Sequence, residues 1–249
     1  MSEHGQIVVS IITVTYNSEK TVSDTLESVL AQTYDQIEYI VVDGASKDRT
    51  VEIVESYRPR FEARGYRLRV VSEPDKGMYD ALNKGVAMAT GDIIGQINSD
   101  DWYEPVAAQR VAETFLETGF DVFWGDMRVV KKSGDLIKRA KLSSFMTTRY
   151  WNHPTTFIRA SVYQENPYGL HSMYDDFELI LRLRAKGCKM VVRNEVLANF
   201  RFGGMSTNKD WDEMCKRVKW RCENYKRNGY GFIYYVDSAL MEFVKYLAA

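Results

Sequence analysis

The chain has 249 residues, 45% of them hydrophobic and 27% charged, with 33 basic side chains against 34 acidic ones. That balance, with 16 glycines and only 5 prolines, excludes a disordered acidic tail and a collagen-like repeat. It also argues against a dedicated nucleic-acid binder, which carries a strongly basic face.

The three cysteines, Cys188, Cys215 and Cys222, are odd in number and contain no C-x-x-C spacing, so neither a disulfide framework nor a zinc knuckle is indicated. Cys215 and Cys222 read as gap fillers on a helix face. No apolar run reaches the roughly 18 residues of a membrane span. Met1-Ser2-Glu3-His4 lacks the basic-then-apolar order of a signal peptide. A reducing, cytoplasmic setting is the default expectation.

Residues 7–14 are an almost continuous apolar run, expected of a strand buried on both faces. Asn17 and Ser18 offer caps for a helix in which Val22, Leu26, Val29 and Leu30 recur at helical spacing. Residues 39–42 form a second strand that stops at Asp43-Gly44. Asp48 can cap the next helix, marked by Val51, Val54 and Tyr57, and residues 68–71 form a third strand. Met78, Leu82, Val86 and Ala89 outline a helix that Gly91 would terminate. Residues 93–97, the fourth strand, run into Asn98-Ser99-Asp100-Asp101. This alternation predicts right-handed crossovers and a mostly parallel sheet with flanking helices.

Short strand-like pieces follow at 122–124, 127–130 and 136–139, with turn chemistry at 132–135. Asp175 or Asp176 opens a helix that reaches Lys186-Gly187, and strands are expected at 190–192 and 197–202. The tail predicts two helices. One carries a stripe of Trp211, Met214, Val218, Cys222 and Tyr225, and the other a stripe of Val236, Leu240, Val244 and Leu247. With no linker in view, the expectation is an α/β domain over 1–206, halved near 101, with a small antiparallel portion. A helical extension of the same domain covers 207–249.

Ligands of an open parallel sheet gather beyond the carboxyl ends of its strands. Asp43 lies there after the second strand, and Asp100 and Asp101 lie there after the fourth. Singly, Asp43 can close an Asx turn and Asp101 can cap a helix starting near Pro105. Acidic sites at two strand ends of one edge point further, because adjacent carboxylates repel unless a cation intervenes. A hard divalent ion, Mn²⁺ or Mg²⁺, bridging carboxylates and substrate phosphates meets that need.

The segments ending in Thr15-Tyr16-Asn17, Asp43-Gly44-Ala45-Ser46-Lys47-Asp48 and Asn98-Ser99-Asp100-Asp101 resemble the nucleotide-sugar half of family 2 glycosyltransferases of the GT-A fold. Asp75-Lys76-Gly77-Met78-Tyr79-Asp80, with Thr90-Gly91-Asp92 after it, is similar to a bacterial branch that builds surface polysaccharide. The resemblance runs from about 7 to 206 and is weakest between 128 and 150. It implies a mostly parallel GT-A sheet and an inverting transferase using a nucleoside diphosphate sugar, UDP above all, and a glycan or lipid-linked glycan acceptor.

Carried over by position, the resemblance places Thr15 and Tyr16 in the base pocket, with Tyr16 presenting its ring to uracil. Asp43 would accept from base or ribose, and Lys76 and Asp80 would approach the nucleotide. Asp100 would touch ribose and metal, and Asp101 would be the principal metal ligand. Where the family often has an acid, this chain has Asn98. Asp175-Asp176 resembles the family's acidic pair, whose second member deprotonates the acceptor hydroxyl opposite the departing diphosphate. Asp176 is thus the expected base, with Asp175 beside it at the acceptor or diphosphate. Without the resemblance, Asp176 reads as an ordinary helix N-cap, and the two roles are compatible because a helix N-terminus favours a carboxylate.

His153 would face acceptor or diphosphate, or serve as a hydrogen-bonded structural residue. Arg201, in the run from Phe200 to Ser206, would clamp the diphosphate from a loop, or be a surface charge. The basic and aromatic run from Lys216 to Tyr235 suits anionic headgroups at the cytoplasmic face of the inner membrane, or simply covers the core as an amphipathic helix. Two rival classes remain. A sugar nucleotidyltransferase would carry a glycine-rich phosphate loop after the first strand, which Thr15-Tyr16-Asn17-Ser18 is not. A catalytically silent nucleotide-sugar scaffold would dispense with Asp101 and Asp176. Oligomeric state is open.

Overall fold

Period-two side chains decide where the first strands go. In β1 (Val9–Thr15), Val9 and Ile11 enter one core and Ile12 the other; in β2 (Ile37–Asp43), Tyr39 and Val41 join the first core and Ile40 and Val42 the second. Strands apolar on both faces need helices on both faces, which is why these runs lack polar alternation. The computed structural model describes residues 6–203 and 210–248, so Met1 to His4 and Gly204 to Ser206 lie outside the described residues.

The remaining strands are β3 (Arg67–Ser72), β4 (Ile93–Gln96), β5 (Trp102–Tyr103), β6 (Val122–Val130), β7 (Leu136–Lys138), β8 (Phe157–Arg159) and β9 (Met190–Arg201). They form one sheet in the order β3-β2-β1-β4-β8-β6-β9-β5, with β7 paired to β6. The first four strands are parallel, and β9 runs parallel to β6. β5, β7 and β8 pair antiparallel and supply the expected antiparallel portion. One face is covered by α1 (Val22–Leu30), α2 (Thr50–Ser56), α3 (Arg58–Ala63) and α5 (Ala107–Thr118). The other is covered by α4 (Met78–Met88), α6 (Ala160–Gln164), α7 (Asp175–Ala185) and part of α8 (Trp211–Arg227). α9 (Phe232–Ala248) packs on α8, and no helix among the described residues is long and apolar enough to cross a membrane.

Several local expectations are corrected. Asn17 and Ser18 do not cap α1 with their side chains; the Ser18 carbonyl accepts from Thr21 and Val22 N–H, each at 3.0 Å. Gly91 is no helix terminator: α4 ends at an extended Ala89, and a Cβ on Gly91 would lie 2.7 Å from Ser10 Oγ and from the Val8 carbonyl. Its glycine permits close approach to β1, not a left-handed cap. The helix after Asp48 breaks at Tyr57 into α2 and α3, with Pro59 at the start of the second.

The pieces expected at 122–130 are one strand, and those at 190–202 are another. Their register shifts at Gly125–Asp126, where buried Asp126 accepts from Ala140 N–H at 2.7 Å and Asn194 at 3.0 Å. The polar residues at that bulge made continuous strands read as fragments.

The two tail helices exist, but their buried faces differ from the expected stripes. α8 turns Met214, Arg217, Arg221, Asn224 and Tyr225 inward and exposes Trp211. α9 buries Ser238 and Glu242, while Val236, Leu240, Val244 and Leu247 face solvent. Buried ion pairs hold this hairpin together: Glu242 meets Arg217 Nε at 2.9 Å and Arg221 Nε at 3.2 Å. Periodicity finds a stripe; it does not say which side faces the protein.

Candidate active site

Register brings the first site residues together. Thr15 lies opposite Asp43 where β1 and β2 end, and its hydroxyl donates to Asp43 Oδ1 at 2.8 Å. Asp43 Oδ2 accepts from Ser46 N–H at 2.9 Å and from Ser72 Oγ at 2.7 Å. Burial opposes ionisation of Asp43, but the bonds from Ser46, Ser72 and Thr15 outweigh it and hold the carboxyl below its ordinary range. Beside it, Asn17 and Ala45 adopt left-handed backbone, with φ of 51° and 60°. Non-glycine residues take that strain when surrounding contacts compel it. Here Asn17 N–H donates to Ser46 Oγ and Lys47 N–H donates to Asn17 Oδ1, both at 2.8 Å.

A cleft of about 1230 Å³ opens above these loops and runs to the C-terminal helices. Of the residues singled out by sequence, it is lined by Thr15, Tyr16, Asp100, His153, Asp176 and Arg201. Tyr16 is 65% exposed, a large aromatic face left available to a ligand. Asp176 occupies the second position of α7, where the cap residue is Tyr174, so it is not the N-cap. Its Oδ1 accepts from Phe177 N–H at 2.6 Å, and its Oδ2 lies 2.9 Å from His153 Nδ1. Arg201 is pinned: its Nε donates to the Asp100 carbonyl at 3.0 Å, its Nη2 to Asp24 at 2.6 Å, and its guanidinium lies 5.0 Å over the Trp102 ring.

The other expected site residues are placed outside the cleft lining. Asp43 is buried beneath the loop it braces. Asp175 is buried and turned back, accepting from His171 N–H at 2.6 Å and Ser172 Oγ at 2.9 Å. Lys76 is exposed, and Asp80 accepts from its N–H at 3.0 Å, tying the loop before α4. Asp101 is fully buried; its Oδ1 accepts from Arg201 N–H at 2.9 Å. It does not cap α5, whose cap position is Val106.

Asp43, Asp100 and Asp101 do not form one metal-holding group. Among the described residues, no group of three or more His, Cys, Asp or Glu side chains is arranged to hold a metal ion. Asp43 is saturated by hydroxyl and amide donors. The adjacent pair is different. Burial first, and then the Asp100 charge, push Asp101 up to about 7, only partly offset by Arg201 N–H, His153 and Asn98. Burial also raises Asp100, which reaches the cleft. Two carboxylates disfavoured by burial and mutual repulsion form a donor set that suits a hard divalent cation.

Three features were missing from the sequence reading. Asp75 lines the cleft, and a Cβ on Gly44 would fall 2.5 Å from its Oδ2, so glycine at 44 admits this carboxylate. The His153–Asp176 contact joins residues read separately. Cations from β7, α8 and α9 line the far end. Only the Asp75 motif gave a local signal.

A mostly parallel sheet in the order β3-β2-β1-β4, helices on both faces and one cleft over the strand ends define the GT-A architecture. The chain belongs to glycosyltransferase family 2: the pattern described as Glycosyl transferase family 2 matches residues 10–177. It is 30% identical over 216 residues to the PGL/p-HBAD biosynthesis glycosyltransferase of Mycobacterium bovis, covering 84% of this chain and 83% of that one. Putative glycosyltransferase EpsH of Bacillus subtilis is 35% identical over 106 residues, 43% of this chain and 30% of the relative. The match therefore spans under a third of EpsH.

The fold is similar to that of S. aureus TarS 1-349 in complex with UDP-GlcNAc, with TM-score 0.72 and 19% identity over 97% of this chain and 73% of that one. It is also similar to the mannosyltransferase PcManGT from Pyrobaculum calidifontis in complex with GDP-Man and Mn²⁺. That likeness has TM-score 0.68 and 15% identity over 98% and 76% of the two chains.

Proposed function

We propose that this protein is an inverting, metal-dependent glycosyltransferase of bacterial surface-polysaccharide assembly. It moves a hexosyl or N-acetylhexosaminyl group from a UDP-sugar to a hydroxyl of a glycan or lipid-linked glycan, at the cytoplasmic face of the inner membrane. The observation that carries this reading is the Asp176–His153 pair, in contact at 2.9 Å and facing the same cleft as Tyr16. The solved UDP-GlcNAc complex of TarS supports the donor class. The solvent-facing apolar stripe of α9 supports contact with a membrane surface.

Tyr16 stacks on the base, and Thr15 lines the floor beneath it. Asp43, Lys76 and Asp80 act through the loops they brace, the latter two presenting Asp75. Asp100 and Asp101 would hold the divalent ion, which when bound supplies Lewis-acid neutralisation of the leaving diphosphate. Arg201, fixed by Asp24 and the Asp100 carbonyl, adds a stationary positive charge at that end. The first turn of α7 fixes the Asp176 carboxylate through the Phe177 N–H, and His153 orients it from the other oxygen. Asp176 takes the acceptor proton as the new C–O bond forms and the bond from the anomeric carbon to the diphosphate breaks, inverting that carbon.

A thermal-shift screen with nucleoside diphosphates, with and without Mn²⁺, tests this reading. UDP is expected to raise the Tm, Mn²⁺ to enlarge the shift, and Asp100→Ala to lose the Mn²⁺ increment. Slow hydrolysis of the matching UDP-sugar separates an enzyme from a silent scaffold. Stabilisation by no nucleoside diphosphate would contradict the proposal.

A further inference from the structure

The part of the cleft nearest the C-terminal helices sets four cationic side chains among apolar ones such as Trp151 and Met241. Lys138 from β7, Arg149 from the loop after it, Arg221 from α8 and Lys245 from α9 all line it. Arg217 packs behind them on Glu242. Among the described residues two carboxylates pair with these five cations: Glu242, which contacts Arg217, Arg221 and Lys245, and Asp237, which contacts Arg149; a third, Asp176, acts on Lys138 through its charge. Arg221 is further fixed by Thr148 Oγ1 at 3.0 Å and lies 4.7 Å over the Tyr174 ring.

Lys138 has no carboxylate contact in this group. Its ammonium donates to the Trp151 carbonyl at 2.8 Å. Burial, then the charges of Lys245 and Arg221, push it down to about 7. Concentrating positive charge in a partly buried cavity is unfavourable by itself, so these residues are poised for an anion. The cluster is also close to the chemistry. Lys138 touches Trp151, the Trp151 ring meets the edge of His153 at 5.9 Å, and His153 contacts Asp176.

We infer that this end of the cleft is a phosphate-binding subsite, and that the acceptor sugar presents its hydroxyl to Asp176 while a phosphate or diphosphate of the same acceptor sits on Lys138, Arg149, Arg221 and Lys245. The inference rests on the reading of Asp176 as the base and names the acceptor class that reading leaves open. Forked guanidinium groups and two ammonium groups around one cavity match tetrahedral oxyanions better than a single carboxylate. The phosphate can be carried by a lipid or lie within a soluble glycan; the subsite chemistry is the same.

The test is titration calorimetry on full-length protein saturated with UDP and Mn²⁺, which occupies the donor end. The probes are farnesyl diphosphate, glycerol 3-phosphate and glucuronate. A phosphate probe is expected to bind, with affinity falling roughly tenfold or more in Lys138→Met. Lys138→Arg should retain binding, and UDP affinity should be equal in all three proteins. Arg149→Gln gives a second arm should Lys138→Met fold poorly.

Preference for farnesyl diphosphate places the phosphate on a lipid, and equal binding of both phosphates places it in a soluble glycan; either supports the subsite. Glucuronate binding in preference to both, no phosphate binding to UDP-loaded protein, or full binding by Lys138→Met and Arg149→Gln would overturn it. Failure of UDP itself to bind would overturn the donor reading first, and the acceptor assignment with it.

Discussion

The two ends of the cleft handle charge in opposite ways. At the Tyr16 end, which the proposal gives to the donor, the Asp43 carboxylate is satisfied by neutral hydroxyl and amide donors from Thr15, Ser46 and Ser72. At the end near the C-terminal helices, which the proposal gives to the acceptor, one buried glutamate, Glu242, serves Arg217, Arg221 and Lys245. The first arrangement fixes loop shape with hydrogen bonds that water could partly replace. The second depends on charges that, once unpaired in the interior, have no substitute. A preorganised surface for a base and ribose can be built from strand ends, whereas a basic subsite needs an internal counterion to fold before any ligand arrives.

Removing each anchor sharpens that contrast. Glu242→Gln should cost about 3–5 kcal/mol, because it strands two buried guanidinium groups. Asp43→Asn should cost about 1–3 kcal/mol, the range for losing part of a hydrogen-bond set. Urea denaturation of both variants checks this, and equal losses would erase the distinction between the ends.

A third expected effect is a pH dependence. Folded Lys138 releases its proton at about 7, whereas in the unfolded chain it titrates near the ordinary lysine value of about 10.4. Between those values the unfolded state binds more protons, so this residue makes stability rise with pH. The stability of the wild type relative to Lys138→Met should therefore increase from pH 7 to pH 9. Parallel pH profiles would show that Lys138 is not displaced from its ordinary range.

The same contrast explains what could be read from sequence. The Tyr16 end of the cleft is made of short segments that follow β1, β2 and β4, so the apolar runs before Tyr16, Asp43 and Asp100 placed those residues at strand ends on one edge of the sheet. Local reading still overreached there: it gave Asp43 a share in one cation site with Asp100 and Asp101, whereas the three form no metal-holding group and Asp43 is bonded to Thr15, Ser46 and Ser72. The acceptor end joins residues from 138 to 245, and no local pattern links Arg217 to Glu242 or Lys138 to Trp151. Helical spacing found α9 and its apolar stripe but not the side that faces the protein, because the polar inner face, Ser238 and Glu242, packs against charged residues of α8 that hydrophobic periodicity does not register. His153 and Asp176 were each visible; their contact was not.

The central claim is that Asp176 removes the acceptor proton in a cleft whose opposite end holds the donor. The most direct measurement is parallel determination of UDP affinity and sugar-transfer rate for wild type and Asp176→Asn. The account predicts unchanged UDP affinity with transfer lowered roughly 100-fold or more, as for loss of a general base. Transfer at the wild-type rate by Asp176→Asn would contradict it.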